Sequence, residues 1–336
     1  MTEAAESGAQ PYRVVSIDGG GIRGVITAVW LTRLEDRLGG PVCKHADLLA
    51  GTSTGAILAC ALSAGIPASR IVDLYSKYGR EVFPNLSSRL WSRAFRLFSD
   101  GPSAPKYDGK GLDRVLKRQF DTKTTFSELK KPTMVTAYNT LDRVPVVFKN
   151  FKRNDTHGHK KLKVWEIVRA SASAPTFFPA KVIKIGASRK PLIDGGVVAN
   201  NPTAYAVAEA VRRSPGRRAS CAIDGLHVVS FGTGEATRPI PIRAAQEWGT
   251  LEWAVPVISV LMDGAADATD YIVRHIVPDK QYVRMQTPLS RGYDDMDDAS
   301  ETNINALISL AESYLDSRAG SRALDKAARL LGQEAA

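Results

Sequence analysis

Asp47-Leu48-Leu49-Ala50-Gly51-Thr52-Ser53-Thr54-Gly55-Ala56-Ile57-Leu58-Ala59-Cys60 decides how this chain is read. It begins as the apolar end of a strand, turns through Gly51-x-Ser53-x-Gly55 and enters an apolar helix. G-x-S-x-G between a strand and a helix is the pattern of a nucleophile elbow. A strand that turns straight into a helix crowds two backbones, and glycines two residues either side of the serine remove the Cβ atoms that would collide. The serine then takes a strained backbone and presents its hydroxyl above the sheet edge. The helix that follows aims its positive N-terminal end at the same place, where negative charge would develop during acyl transfer.

Composition narrows the rest. The chain has 336 residues, 44% hydrophobic and 24% charged, enough for a large core. No apolar run is long enough to span a bilayer as a helix. Residues 1–10 are small and acidic and lack the basic start and apolar centre of a signal peptide, so a cytoplasmic protein is expected. Cys43, Cys60 and Cys221 are odd in number and far apart, which suits free thiols rather than a disulfide framework. The formal net charge of +10 admits nucleic acid or an anionic membrane as partner. No zinc-finger spacing or RNP-type aromatic motif is present, so a nucleic-acid polymer is not expected.

Working outward, residues 12–17 read as a buried strand, Asp18-Gly19-Gly20-Gly21-Ile22-Arg23-Gly24 as a glycine loop, and 25–38 as a helix stopped by Gly39-Gly40-Pro41. Strand, glycine loop and helix together make a cradle of backbone N–H groups for an anion. Gly19-x-Gly21-x-x-Gly24 also fits a dinucleotide fingerprint, but that fold wants an acidic residue at the end of the second strand. Here that strand ends in Gly51-Thr52-Ser53, and Asp47 lies at its wrong end. The other use of such a cradle is an oxyanion hole beside a nucleophilic serine.

Helices are expected from 66 to 80, over 112–120 and over 164–171, and strands over 132–137, 144–149 and 181–185. Residues 83–98 are aromatic and basic; they read as a lid helix resting on lipid or as an ordinary surface helix packed inward. His157-Gly-His159 lies in a basic stretch, 151–163, without a clear third ligand, so a solvated loop is expected there rather than a metal site. Residues 171–179 form a rigid turn of small residues and prolines. Asp194-Gly195-Gly196 closes a strand and opens a helix expected to run through 211. A carboxylate at a strand end beside two glycines suits a base, and equally an Asx-turn. Residues 226–230 read as a strand, 248–262 as a buried apolar segment, and 301–331 as one or two amphipathic helices.

With the 18–24 loop, Gly51-Thr52-Ser53-Thr54-Gly55, residues 171–179 and Asp194-Gly195-Gly196 in family order, the chain resembles the patatin-like phospholipases over roughly residues 12–235. The resemblance implies an α/β fold: a three-layer α/β/α sandwich with a mostly parallel central sheet. It implies hydrolysis of lipid acyl esters by a Ser-Asp dyad without histidine, metal or cofactor. Carried over by position, Ser53 is the nucleophile, Asp194 the base, and the amides of Gly19, Gly20 and Gly21 the oxyanion hole. Asp18, Arg23, Gly24, Gly51, Thr52, Thr54, Gly55, Gly195 and Gly196 support the motifs, with Arg23 either steadying the loop or meeting a lipid phosphate.

A phospholipid membrane surface is the implied substrate partner, approached from the cytoplasmic side. Some bacterial members of the family are defence effectors switched on by cyclic nucleotides, and such an activator is an expectation here, with no residue assigned to it. The expected organisation is a disordered tail over 1–11 and one domain over 12–336, its motifs within 12–235 and a helical part over 246–336. Against the dyad stands a Ser-His-Asp scheme using His227 or His275; a non-catalytic lipid- or nucleotide-binding protein is the other alternative.

Overall fold

The computed structural model describes residues 11–84, 105–151, 155, 158–212, 223–236, 239–253, 256–289 and 295–332. Most of the 83–98 lid expectation, the 1–10 tail and His157 lie outside them.

An eight-stranded sheet organises these residues. Strand β1 (Tyr12–Ile17) lies between β2 (Leu48–Thr52) and β7 (Leu226–Phe231), all parallel. Outside them, β3 (Thr133–Asn139) joins β2 and β8 (Tyr282–Met285) joins β7, again in parallel. The flank is antiparallel: β4 (Val144–Lys149) and β6 (Ser188–Asp194) both pair with β3, and β5 (Lys181–Ile185) pairs with β6.

The central strands are buried on both faces, which is why they read as unbroken apolar runs. Val15, Ile17, Leu49, Val229 and Phe231 share one core with α1 (Gly24–Leu38), α3 (Thr54–Ala64) and α4 (Ala68–Val82). A short α2 (Val42–His45) leads into β2. Val14, Leu48, Val228 and Tyr282 face the opposite way and form a second core with α8 (Thr203–Arg212) and α11 (Pro256–Ile276). Helix, sheet and helix make the three layers expected. Helix α5 (Lys110–Phe120) packs on α4 and on α6 (Val164–Ser171), α6 covers the β3 flank, and α12 (Glu301–Asp316) and α13 (Arg318–Leu331) pack on α1.

Three expectations are corrected. The helix after Asp194 is two pieces, α7 (Gly196–Ala199) and α8. Pro202 cannot donate to the preceding turn, and Asn201 restarts the helix by accepting the Thr203 N–H through its side-chain oxygen at 3.0 Å. The 246–336 part is not wholly helical, because β8 extends the sheet from within it. The 248–262 stretch is not a buried segment. After α9 (Ile242–Glu247) it enters α10 (Thr250–Trp253) and then α11, where Ile258 and Met262 are buried but Val260 and Leu261 are exposed. Apolar residues there occupy more of the helix circumference than one contact face can cover.

The pairing along β3 positions the site. β4 takes one edge of β3 from Met134 to Asn139. The other edge is shared: β2 holds it up to Thr52↔Thr136, and β6 takes it from Ala137↔Asp194. Where β2 leaves the sheet to make its turn, β6 arrives. Residues 141 positions apart in the chain meet there.

Candidate active site

Ser53 follows the last residue of β2 and has φ 56° and ψ −121°, a conformation costly for any residue with a Cβ. It forms the N-cap of α3, its carbonyl accepting the Ala56 N–H at 3.0 Å. The turn exists because Gly51 and Gly55 lie against each other: a Cβ on Gly51 would collide with the Gly55 backbone, and one on Gly55 with the carbonyls of Ile17 and Asp18. The Ser53 hydroxyl donates to Asp194 Oδ2 at 2.6 Å.

Asp194 is fully buried, and its other oxygen, Oδ1, accepts the Gly196 N–H at 2.7 Å. Burial lifts its pKa to about 7, against the opposing pull of the Ser53 hydroxyl and the Gly196 amide. A carboxylate of that pKa takes a proton from a hydroxyl far more readily than an ordinary one, and near neutral pH much of it is already ionised.

The glycine loop follows β1 at the same sheet edge. The N–H of Gly19 is given to the Asn200 carbonyl at 3.0 Å, which corrects the expectation that it faces a substrate oxyanion. No acceptor among the described residues takes the amides of Gly20 and Gly21. Gly21 has φ 60°, and a Cβ there would strike the Met296 carbonyl.

Gly20, Gly21, Ser53 and Asp194 line one end of a cleft that is open to solvent. The remaining wall is largely apolar, with Ile57, Leu74, Val82, Phe83, Phe178 and Met262 among its side chains. A hydroxyl–carboxylate pair and free amides at the end of an apolar channel suit a polar carbonyl attached to a long hydrocarbon.

A family model described as patatin-like phospholipase matches residues 15–207. The chain belongs to the patatin-like phospholipase family. Patatin-like protein 2 of Oryza sativa subsp. indica is 28% identical over 344 residues, covering 90% of this chain and 83% of its own. A cGAMP-activated phospholipase of Pseudomonas aeruginosa is 28% identical over 268 residues, covering 80% of this chain and 76% of its own. The solved structure of human GIVD cytosolic phospholipase A2 shares the fold, with a TM-score of 0.51 at 12% identity, over 95% of this chain and 60% of that one.

The supporting residues of this patatin-like chain act through packing. Thr52 donates to the Ala199 carbonyl at 2.6 Å and lies 2.6 Å from the Thr136 hydroxyl, tying β2, β3 and α7 together. Thr54 bonds the Tyr75 hydroxyl, Gly24 packs on both of these side chains, and Gly195 packs on Thr136. Arg23 is buried, and its Nε reaches back to the Gly20 carbonyl at 3.4 Å. It lines a second, polar cavity beside Asp18 and not the apolar cleft, so of its two readings the loop-steadying one fits.

Both histidine alternatives lie elsewhere. His227 pairs with Arg13 near the start of β1, about 16 Å from the sheet edge that carries Ser53. Its Nδ1 contacts the Leu330 carbonyl at 2.8 Å. His275 is exposed on α11 and its Nδ1 contacts the Tyr271 carbonyl. His159 rests edge-on against Phe148.

Sequence reasoning missed two sets of residues. Ser171 Oγ accepts the Ser53 N–H at 2.8 Å, and the Ser173 carbonyl accepts the Asp194 N–H at 3.0 Å. The small-residue turn thus holds the backbone of both members of the pair. The Ser171 hydroxyl in a segment otherwise built for tight packing was the signal for the first contact; the second uses a backbone carbonyl, which no side chain announces. Ser171→Ala should leave the strained Ser53 amide buried without an acceptor, costing about 1–3 kcal/mol in denaturant melts. Turnover should fall while KM stays near the wild-type value. The second set is Arg284, whose Nη2 donates to Asp18 Oδ2 at 2.7 Å and Nη1 to Ser230 Oγ at 2.9 Å. Nothing in the sequence around Arg284 announces its partner 266 positions away.

Proposed function

We propose that the protein is a serine lipid acyl hydrolase of phospholipase A type, acting on membrane phospholipids through Ser53 and Asp194. The 2.6 Å hydrogen bond from the Ser53 hydroxyl to a buried, uncharged-favouring Asp194 at the end of an apolar cleft carries this reading. Asp194 takes the Ser53 proton as Oγ attacks the acyl carbonyl. The amides of Gly20 and Gly21 receive the tetrahedral oxyanion, each such donor being worth about 3 kcal/mol in the barrier. The lysolipid alkoxide leaves with the proton held by Asp194. Water then cleaves the acyl-enzyme, with Asp194 again accepting a proton.

The cGAMP activation named for the Pseudomonas relative extends the proposal to control: a cyclic nucleotide raises turnover in this chain, as in an antiviral defence effector that attacks membrane lipid from the cytoplasm. Mass spectrometry of mixed phospholipid vesicles incubated with wild type and Ser53→Ala tests the core of the reading. Free fatty acid and lysophospholipid should accumulate with wild type only, and more strongly when cGAMP is added. Equal product from both proteins would overturn the hydrolase assignment. Product unchanged by cyclic nucleotides would overturn only the activation.

A further inference from the structure

The family match ends at residue 207, but the wall of the cleft does not. Ile258 and Met262 both line it, and they belong to α11, which lies wholly beyond that match. Four residues apart, they stand on one face of the helix. They are 8% and 3% exposed. The helix packs on α7, which begins two residues after Asp194.

Gly196 shows how closely the two segments meet. A Cβ built there would lie 2.8 Å from Met262 Cε and 3.1 Å from Asp194 Oδ1. The thioether methyl and the carboxylate oxygen therefore border the same small space. Asn200 Oδ1 borders it too, 3.2 Å from that point, and is a buried acceptor with no donor among the described residues. Two acceptor oxygens facing one space would welcome a donor. Met262 brings a methyl, which donates nothing and crowds the room that a donor would need.

Charged and titratable groups on the surrounding elements turn elsewhere. Arg169 of α6 pairs with Asp113, Lys181 of β5 lies over the Trp165 ring, and Lys190 of β6 pairs with Asp142. Tyr138 of β3 is the partner of Ile193 and so projects from the opposite face of the sheet to Asp194. Asp263 and Asp267 of α11 line the polar cavity with Asp18 and Arg23. None of them moves Asp194: burial raises its pKa, and only the Ser53 hydroxyl and the Gly196 amide oppose the rise. What buries this carboxylate is therefore what tunes it.

We propose that Met262 is a positioning residue for the reaction of Ser53 and Asp194, its methyl closing the apolar wall over Asp194 and denying the carboxylate solvation from that side. The inference rests on Asp194 being the base. A carboxylate kept from solvent holds a proton more tightly and, once ionised, takes one more readily. A segment in which the sequence shows no motif thus sets the strength of the base.

The rate at which a fluorophosphonate labels Ser53, followed from pH 5 to 9 on the full chain, reads the base without a lipid surface. In wild type the rate should rise through about pH 7. Met262→Gln sets an amide donor beside Oδ1 and should move the midpoint down by about one pH unit. Met262→Ala opens the wall to water and should move it in the same direction, which keeps the test alive where a buried glutamine upsets folding. Met262→Leu keeps the wall apolar and should keep the wild-type midpoint, whatever its rate. Circular dichroism checks that each variant is folded.

A midpoint unmoved in folded Met262→Gln or Met262→Ala would overturn the proposal, as would an equal move in Met262→Leu or a wild-type rate flat from pH 5 to 9. Asp194→Asn separates this failure from that of the dyad. Labelling of Asp194→Asn as fast as wild type would remove the base and the inference together, whereas loss of labelling there with an unmoved midpoint at 262 would remove the role of Met262 alone.

Discussion

Asp194→Asn should lower turnover on phospholipid by about 10⁴-fold with little change in KM, the scale seen when a base loses its ability to take a proton while geometry persists. The amide can still hold the Ser53 hydroxyl, so the loss would be one of chemistry. On the proposed mechanism the same carboxylate should set the pH dependence. Burial holds Asp194 at about 7, and only its ionised form accepts a proton, so kcat/KM of wild type should rise through about pH 7 and level off above it.

Stability should run the other way. The folded pKa is raised above the unfolded value of 3.8, so the native state binds the proton more tightly and loses stability as pH climbs from about 4 to about 7. Asparagine never ionises and escapes that loss. The variant should therefore melt at a higher temperature than wild type at pH 8, by a margin that narrows steadily on acidification and closes near pH 4. An Asp194→Asn enzyme with near-normal turnover, or a wild-type profile flat from pH 5 to 9, would remove Asp194 from the base role.

Arg284→Met should be the most destabilising of the single substitutions considered, by about 3–5 kcal/mol in denaturant melts near pH 8, because it strands a buried carboxylate. Arg284 and Asp18 have side chains 4% and 2% exposed. Burial lifts Asp18 to about 6 even though the guanidinium opposes the rise. Without Arg284 the pKa would climb further, and Asp18 would resist ionisation. The cost should accordingly shrink at pH 5, where the carboxyl keeps its proton in wild type and variant alike. Asp18→Asn combined with Arg284→Met should be less harmful than Arg284→Met alone, since no charge is left unpaired. Additive losses in the double variant would show that the pair is not coupled. Because Asp18 leads directly into the glycine loop, Arg284→Met should also depress turnover in the protein that remains folded.

Much of the site could be read in one dimension because its parts are local. A nucleophile elbow needs its glycines within two residues of Ser53, and an amide cradle needs consecutive glycines at a strand end, so both are written as short words. Asp194 was legible for the same reason, as an acid at a strand end beside two glycines. Helix and strand positions followed from periodicity wherever one face was apolar. Where it was apolar on two faces, as along α11, burial was misjudged, because a sequence shows how much apolar surface exists and not how much the neighbours can cover.

By itself, then, the sequence determined the two turns, the glycines that permit them and the alternation of strands and helices, all of which obey short-range sterics. The tertiary structure alone decided that β6 takes the edge of β3 which β2 vacates, bringing Asp194 to Ser53. It alone decided that Asn200 claims the Gly19 amide, that the Ser171 turn holds both backbones, and that Arg284 neutralises Asp18. These depend on which chain segments become neighbours across the sheet, and that outcome follows from packing the whole core at once rather than from any stretch of residues.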